Sequence, residues 1–110
     1  MGAHYIRGRL RDASEAPAVG EHADEVLAFG NAVVEQILSG RLEQPADYVQ
    51  AHDEWVVVLA GAATLEVGGE PVELAARDWL FLPSGLAHRL VRTEPGTDWL
   101  AVHLHPGTAR

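Results

Sequence analysis

Two glycines in succession, Gly68-Gly69, separate two short segments, 62–67 and 70–74, that alternate apolar and polar residues. In the first, Leu65 and Val67 fall on one face and Thr64 and Glu66 on the other, which is the period of a half-buried strand. A Gly-Gly link suits the hairpin turn that needs positive φ at both central positions. Pro71 places the returning strand at a sheet edge or at a strand start. A chain committed to one tight hairpin must find further strands to cover its apolar face, because an isolated hairpin is marginal in water.

Further strands follow from the same signals. The run 55–60 is β-branched and closed by Gly61; 79–82 is short and apolar and closed by Pro83-Ser84-Gly85. Segments 87–92 and 98–105 are separated by the turn Glu94-Pro95-Gly96-Thr97. In 26–40 the apolar positions also fit a helical stripe, but Gly30-Asn31 in the middle favours two short strands joined by a turn. Residues 12–25 read as a linker-like loop with a turn at Pro17–Gly20. Short strands divided by turn signals predict an all-β sandwich or barrel.

At 110 residues the chain is one domain's worth. The expected layout is a single domain over 1–110, with an N-terminal strand and loop over 1–25, the barrel over 26–105 and a tail over 106–110. With no cysteine, disulfides, thiolate metal sites and cysteine nucleophiles are excluded. The first twenty residues lack the apolar block of a signal peptide, and no stretch approaches the ~20 apolar residues of a membrane span. A cytoplasmic protein without a membrane partner is expected. The formal charge is −8, a field that repels phosphate backbones and argues against a nucleic-acid partner. Arg7, Arg9 and Arg11 alternate and are read as a solvated strand edge rather than an anion patch.

The later half of the chain resembles the cupins. Their first motif has the form G-x5-H-x-H-x3-4-E-x6-G and their second G-x5-P-x-G-x2-H-x3-N. Here Glu54, followed by six residues and Gly61, matches the end of the first, and Pro83, Gly85 and His88 match the second. The resemblance covers roughly 47–105 and implies an antiparallel double-stranded β-helix, the jelly-roll barrel. The two motif-one histidines fall at Tyr48 and Gln50, the motif-two glycine at Arg77 and its asparagine at Arg92. Of the usual three histidines and one glutamate, only Glu54 and His88 are present.

Whether a site survives can be asked of the residues themselves. If the strand runs without a bulge, Tyr48, Gln50, His52 and Glu54 share one face, and the match at Glu54 makes that face the interior. His52 would then supply an imidazole beside Glu54, and His103 another from the last strand, where it shares a face with His105. A transition metal such as zinc, iron, nickel or manganese wants about three protein ligands, which Glu54, His88 and one of His52 or His103 would provide. Tyr48 is a candidate proton donor. Gln50, and Arg92 if in phase with His88, are candidate ligand-binding groups. The bland alternatives are a solvated His52, a hydrogen-bonded core His103 and a surface Arg92. His105 is expected at the rim, His4 and His22 at the surface, and Trp55, Trp79 and Trp99 in the core or a dimer interface.

Three functions fit these residues: a metal-dependent cupin acting on a small polar molecule, a metal-free ligand-binding or regulatory cupin, and a purely structural module. Nucleophile-elbow, dinucleotide and P-loop patterns are absent, and Ser84 has no visible base or oxyanion hole. Uncovered apolar strand faces lead us to expect a homodimer.

Overall fold

The computed structural model describes residues 4–107. After a 3-10 turn at Ala13–Glu15, nine strands follow: β1 Glu21–Phe29, β2 Ala32–Ser39, β3 Ala46–Tyr48, β4 Asp53–Ala60, β5 Ala62–Val67, β6 Glu70–Ala75, β7 Trp79–Leu82, β8 His88–Thr93 and β9 Thr97–Leu104. They form a five-stranded sheet, β1-β2-β9-β4-β7, and a four-stranded sheet, β3-β8-β5-β6. Every strand pair is antiparallel, and the two sheets face each other as a jelly-roll barrel.

The turn chemistry explains most of the boundaries. Gly68 and Gly69 have φ of 58° and 83°, the primed turn that matches strand twist, and β6 with Pro71 is an edge strand. The pair Gly30-Asn31 closes the β1–β2 hairpin, so the helical stripe over 26–40 is two strands. Gly61 has φ 85°, and a Cβ there would lie 2.5 Å from Thr97 Oγ1 and 2.8 Å from Thr97 Cα. Only glycine permits this approach of the β4–β5 corner to β9.

Val56, Val58, Ala63, Leu65, Leu74, Leu90, Trp99 and Ala101 make one buried cluster between the sheets. Each fully buried aliphatic side chain of this kind contributes about 1.5–3 kcal/mol. Trp99 donates its indole N–H to Ser39 Oγ at 2.9 Å, so its one polar atom is satisfied. The outer face of the five-stranded sheet carries Trp55 and Trp79, with rings 6.3 Å apart, beside Phe81, Val102 and Leu104 in cross-strand register.

Two expectations about the N-terminal region are corrected. Strand β1 begins at Glu21, inside the stretch read as linker. Residues 4–12 form no strand edge. Instead Arg11 is held on the outer side of β2, where the Gln36 amide accepts from Arg11 N–H at 2.9 Å and donates to Arg11 O and to buried Asp98. Arg11 pairs with Glu15 and Asp24, which is why it is not free to serve an anion.

Candidate functional site

The chain does not run straight from Tyr48 to Glu54. It leaves the four-stranded sheet after β3, crosses between the sheets at Val49, Gln50, Ala51 and His52, and enters the five-stranded sheet at Asp53. Two bonds pin this crossing to the Pro-Ser-Gly turn: Gly85 N–H donates to Gln50 O at 2.7 Å and Ser84 N–H to Asp53 Oδ1 at 2.9 Å. The period-two argument for a shared face across 48–54 therefore fails, because parity holds only within one strand. Tyr48 and Glu54 reach the same cavity from opposite sheets.

That cavity, about 250 Å³, lies between the sheets at the end of the core. Tyr48, Gln50, Glu54, His88 and His103 line it. His52 does not. It sits at the rim, Nε2 2.9 Å from His103 Nδ1 and its ring 4.4 Å from that of His105. Burial and these two imidazoles hold the His52 pKa below its usual value. Arg92 also lies outside the cavity and is exposed. The β5–β8 register shifts between Thr64 and Leu65, leaving Val91 as an extra residue. This bulge turns Arg92 outward although its spacing from His88 suggested otherwise.

Glu54 and His88 are buried, 7% and 8% exposed. His88 turns Nδ1 to the Leu86 carbonyl, 3.2 Å away. A carbonyl can only accept, so Nδ1 carries the proton and, in the neutral ring, Nε2 keeps its lone pair. Tyr48 stands opposite His88 in the β3–β8 pair, with rings 5.5 Å apart and inclined by 18°. Burial pushes the Glu54 carboxyl up, partly offset by His103 and His88. Burial also raises the Tyr48 phenol, helped by Glu21, Glu54 and Glu35. The phenol thus stays protonated and can donate.

Two acids escaped the sequence reading. Glu35 lines the cavity and meets His103 Nε2 at 3.2 Å. Glu21 stands at the mouth and accepts from Ser39 Oγ, whose oxygen in turn accepts from Trp99. Burial of the carboxyl, then the charge of Glu35, raise Glu21 as well. The signal that would have found Glu35 is its same-parity position with Ile37 and Ser39 on β2. Glu21 lay in a stretch with no strand signature.

The donors can now be tested for a metal ion. Both nitrogens of His103 are engaged, one by His52 and one by Glu35, and Nε2 of His52 is taken by His103. Among the described residues no group of three histidine or acidic side chains is placed to hold a metal ion. Of the motif's ligand positions only Glu54 and His88 carry ligating residues in the cavity, and neither Glu35 nor Glu21, each bonded through one oxygen to His103 or Ser39, is grouped with them as a third ligand.

The profile of the Cupin domain family matches residues 33–103. The chain belongs to the cupins. Among solved structures, this cupin is 31% identical to a protein of Ralstonia eutropha JMP134 provisionally assigned as a mannose-6-phosphate isomerase, over 90% of this chain and 100% of that one, with a TM-score of 0.75. KdgF from a Halomonas species is 20% identical over 77% and 80% of the two chains, TM-score 0.66. A cupin-2 domain protein of Shewanella frigidimarina is 14% identical over 76% and 80%, TM-score 0.64. The last two show the fold alone. No curated protein matches the sequence. Among the described residues no helix is long and apolar enough to cross a membrane.

Proposed function

We propose that this cupin binds a small polar molecule in the barrel cavity through its own hydrogen-bonding groups, without a resident metal. The observation that carries this reading is the engagement of both His103 nitrogens. It leaves a buried carboxylate, Glu54, and a bare imidazole nitrogen, His88 Nε2, facing about 250 Å³ of space with Gln50 and the Tyr48 phenol beside them. Such convergent polar groups in an otherwise apolar pocket are what orient a small ligand.

The sugar-phosphate assignment of the Ralstonia relative does not carry over easily. All eight basic residues are arginine and none of the seven among the described residues lines the cavity, so a phosphate would find no guanidinium there. The net charge of −8 likewise disfavours nucleic acid.

A second reading places zinc, iron, nickel or manganese on Glu54 and His88. It is favoured by the free Nε2 of His88, whose Nδ1 is held as a metal-bound histidine's second nitrogen usually is. It needs a third ligand, which His103 supplies only by releasing Glu35 or His52.

Saturation-transfer NMR of a mixture of small neutral, cationic and anionic polar compounds tests the main reading, with Ala23→Trp as a cavity-filling control. Ala23 lines the cavity from the exposed strand β1, so the control leaves the core intact. Signals seen with the wild type after chelator treatment and lost in Ala23→Trp are expected. Equal signals from both proteins would remove the cavity as the site.

A further inference from the structure

Acceptors outnumber donors among the polar groups that face the cavity. Glu21, Glu35 and Glu54 bring three carboxylates to one space. His88 adds an independent feature: it is 8% exposed, its Nδ1 is spent on the Leu86 carbonyl, and its Nε2 lone pair faces the open cavity with no partner among the described residues. No buried polar side-chain atom is orphaned among those residues, so this nitrogen is open to the cavity rather than sealed in the core. Of the protein's own donors, Trp99 N–H is used on Ser39 and Ser39 O–H on Glu21, and the Gln50 amide on Glu54, which leaves the Tyr48 phenol as the cavity's own donor.

We infer that the cavity's ligand is an organic ammonium, a small molecule with a protonated primary amine. This deepens the proposed function and rests on it. An ammonium presents three donors and no acceptor, the complement of carboxylates and a bare imidazole nitrogen. Its charge offsets the mutual repulsion of the acids, which is expressed in the upward push that Glu35 gives both Glu21 and Glu54. The rings of Tyr48 and Trp99 line the same space, and an aromatic face attracts a diffuse cation. A carboxylate or phosphate ligand would meet like charge, and a neutral alcohol would satisfy one acceptor where an ammonium satisfies three.

Calorimetric titration of the chelator-treated protein with n-butylamine, n-butanol and butyrate, which share one alkyl chain, tests the inference. The amine is expected to bind about tenfold or more tighter than the alcohol, the factor a charge-assisted bond of ~1.4 kcal/mol supplies, and butyrate not at all. Glu54→Gln should remove that preference, and Glu35→Gln, from another strand, should reduce it should Glu54→Gln fail to fold. Butanol binding as tightly as butylamine overturns the charge inference and leaves the cavity reading standing. No binding by any of the three overturns both. Stoichiometric zinc binding that excludes the amine overturns the inference in favour of the metal reading.

Discussion

Glu54 and His103 are directly opposite each other in the β4–β9 pair, so both side chains leave the sheet toward the cavity. As placed, however, both His103 nitrogens are bonded, one to His52 and one to Glu35. Register brings two metal-type residues together, and their hydrogen bonds commit one of them elsewhere. Glu54 is left as a buried carboxylate whose ionised form is opposed by desolvation.

That opposition gives a pH-dependent prediction. The Glu54 pKa is raised in the folded state from 4.5, so its contribution is most favourable below the unfolded value and is lost as pH rises through the folded one. Glu54→Gln should have almost the wild-type melting temperature near pH 4, where both side chains are neutral, and exceed it by a few degrees at neutral pH. Thermal unfolding across this range checks it. A difference that does not change with pH contradicts the assignment of a desolvated carboxylate.

Arg77 has φ 80° at the position where the cupin second motif carries glycine. A side chain in this left-handed region costs on the order of 1–3 kcal/mol, offset in part by the greater freedom glycine has when unfolded. Arg77→Gly is therefore expected to stabilise by about 1 kcal/mol, read from chemical denaturation. A loss of stability would show that the Arg77 side chain makes a compensating contact.

At Gly61, φ 85°, the left-handed backbone already carries the residue that suits it. The added methyl of Gly61→Ala would press on Thr97 Oγ1 and Cα at 2.5 and 2.8 Å, in a left-handed conformation. Overpacking and backbone strain together predict a loss of about 2–4 kcal/mol, and an unfolding midpoint close to wild type would contradict it.

The outer face of the five-stranded sheet leaves Trp79 61%, Phe81 50% and Leu104 52% exposed, in register with Trp55 and Val102. A second copy of the chain is the partner that a self-complementary apolar sheet face suits. Light scattering at micromolar concentration should give a dimer mass, and Phe81→Glu should give the monomer. A monomeric wild type would contradict this.

The hairpin at Gly68-Gly69, the strand ended by Gly61 and the turn at Pro83-Ser84-Gly85 were legible because each depends on a few adjacent residues. The same is true of the motif matches at Glu54 and His88, and both side chains reach the cavity. What could not be read were features set by distant partners. His52 fell out of phase with Glu54 because the chain changes sheets at Val49–His52, a step decided by what β3 and β4 pair with. Arg92 turned outward through the unpaired Val91, which no local pattern marks. Glu21 and Glu35 were not singled out because only the pairing of β1 and β2 into the five-stranded sheet brings them to the cavity.

The most direct test of a cavity that works without a resident metal is elemental analysis of the untagged protein after mild dialysis, with His88→Ala alongside. Well under one equivalent of zinc, iron, nickel or manganese in both proteins is the expected result. Near-stoichiometric metal in the wild type, lost in His88→Ala, would contradict the account and show that His103 gives up Glu35 or His52 to complete a metal centre.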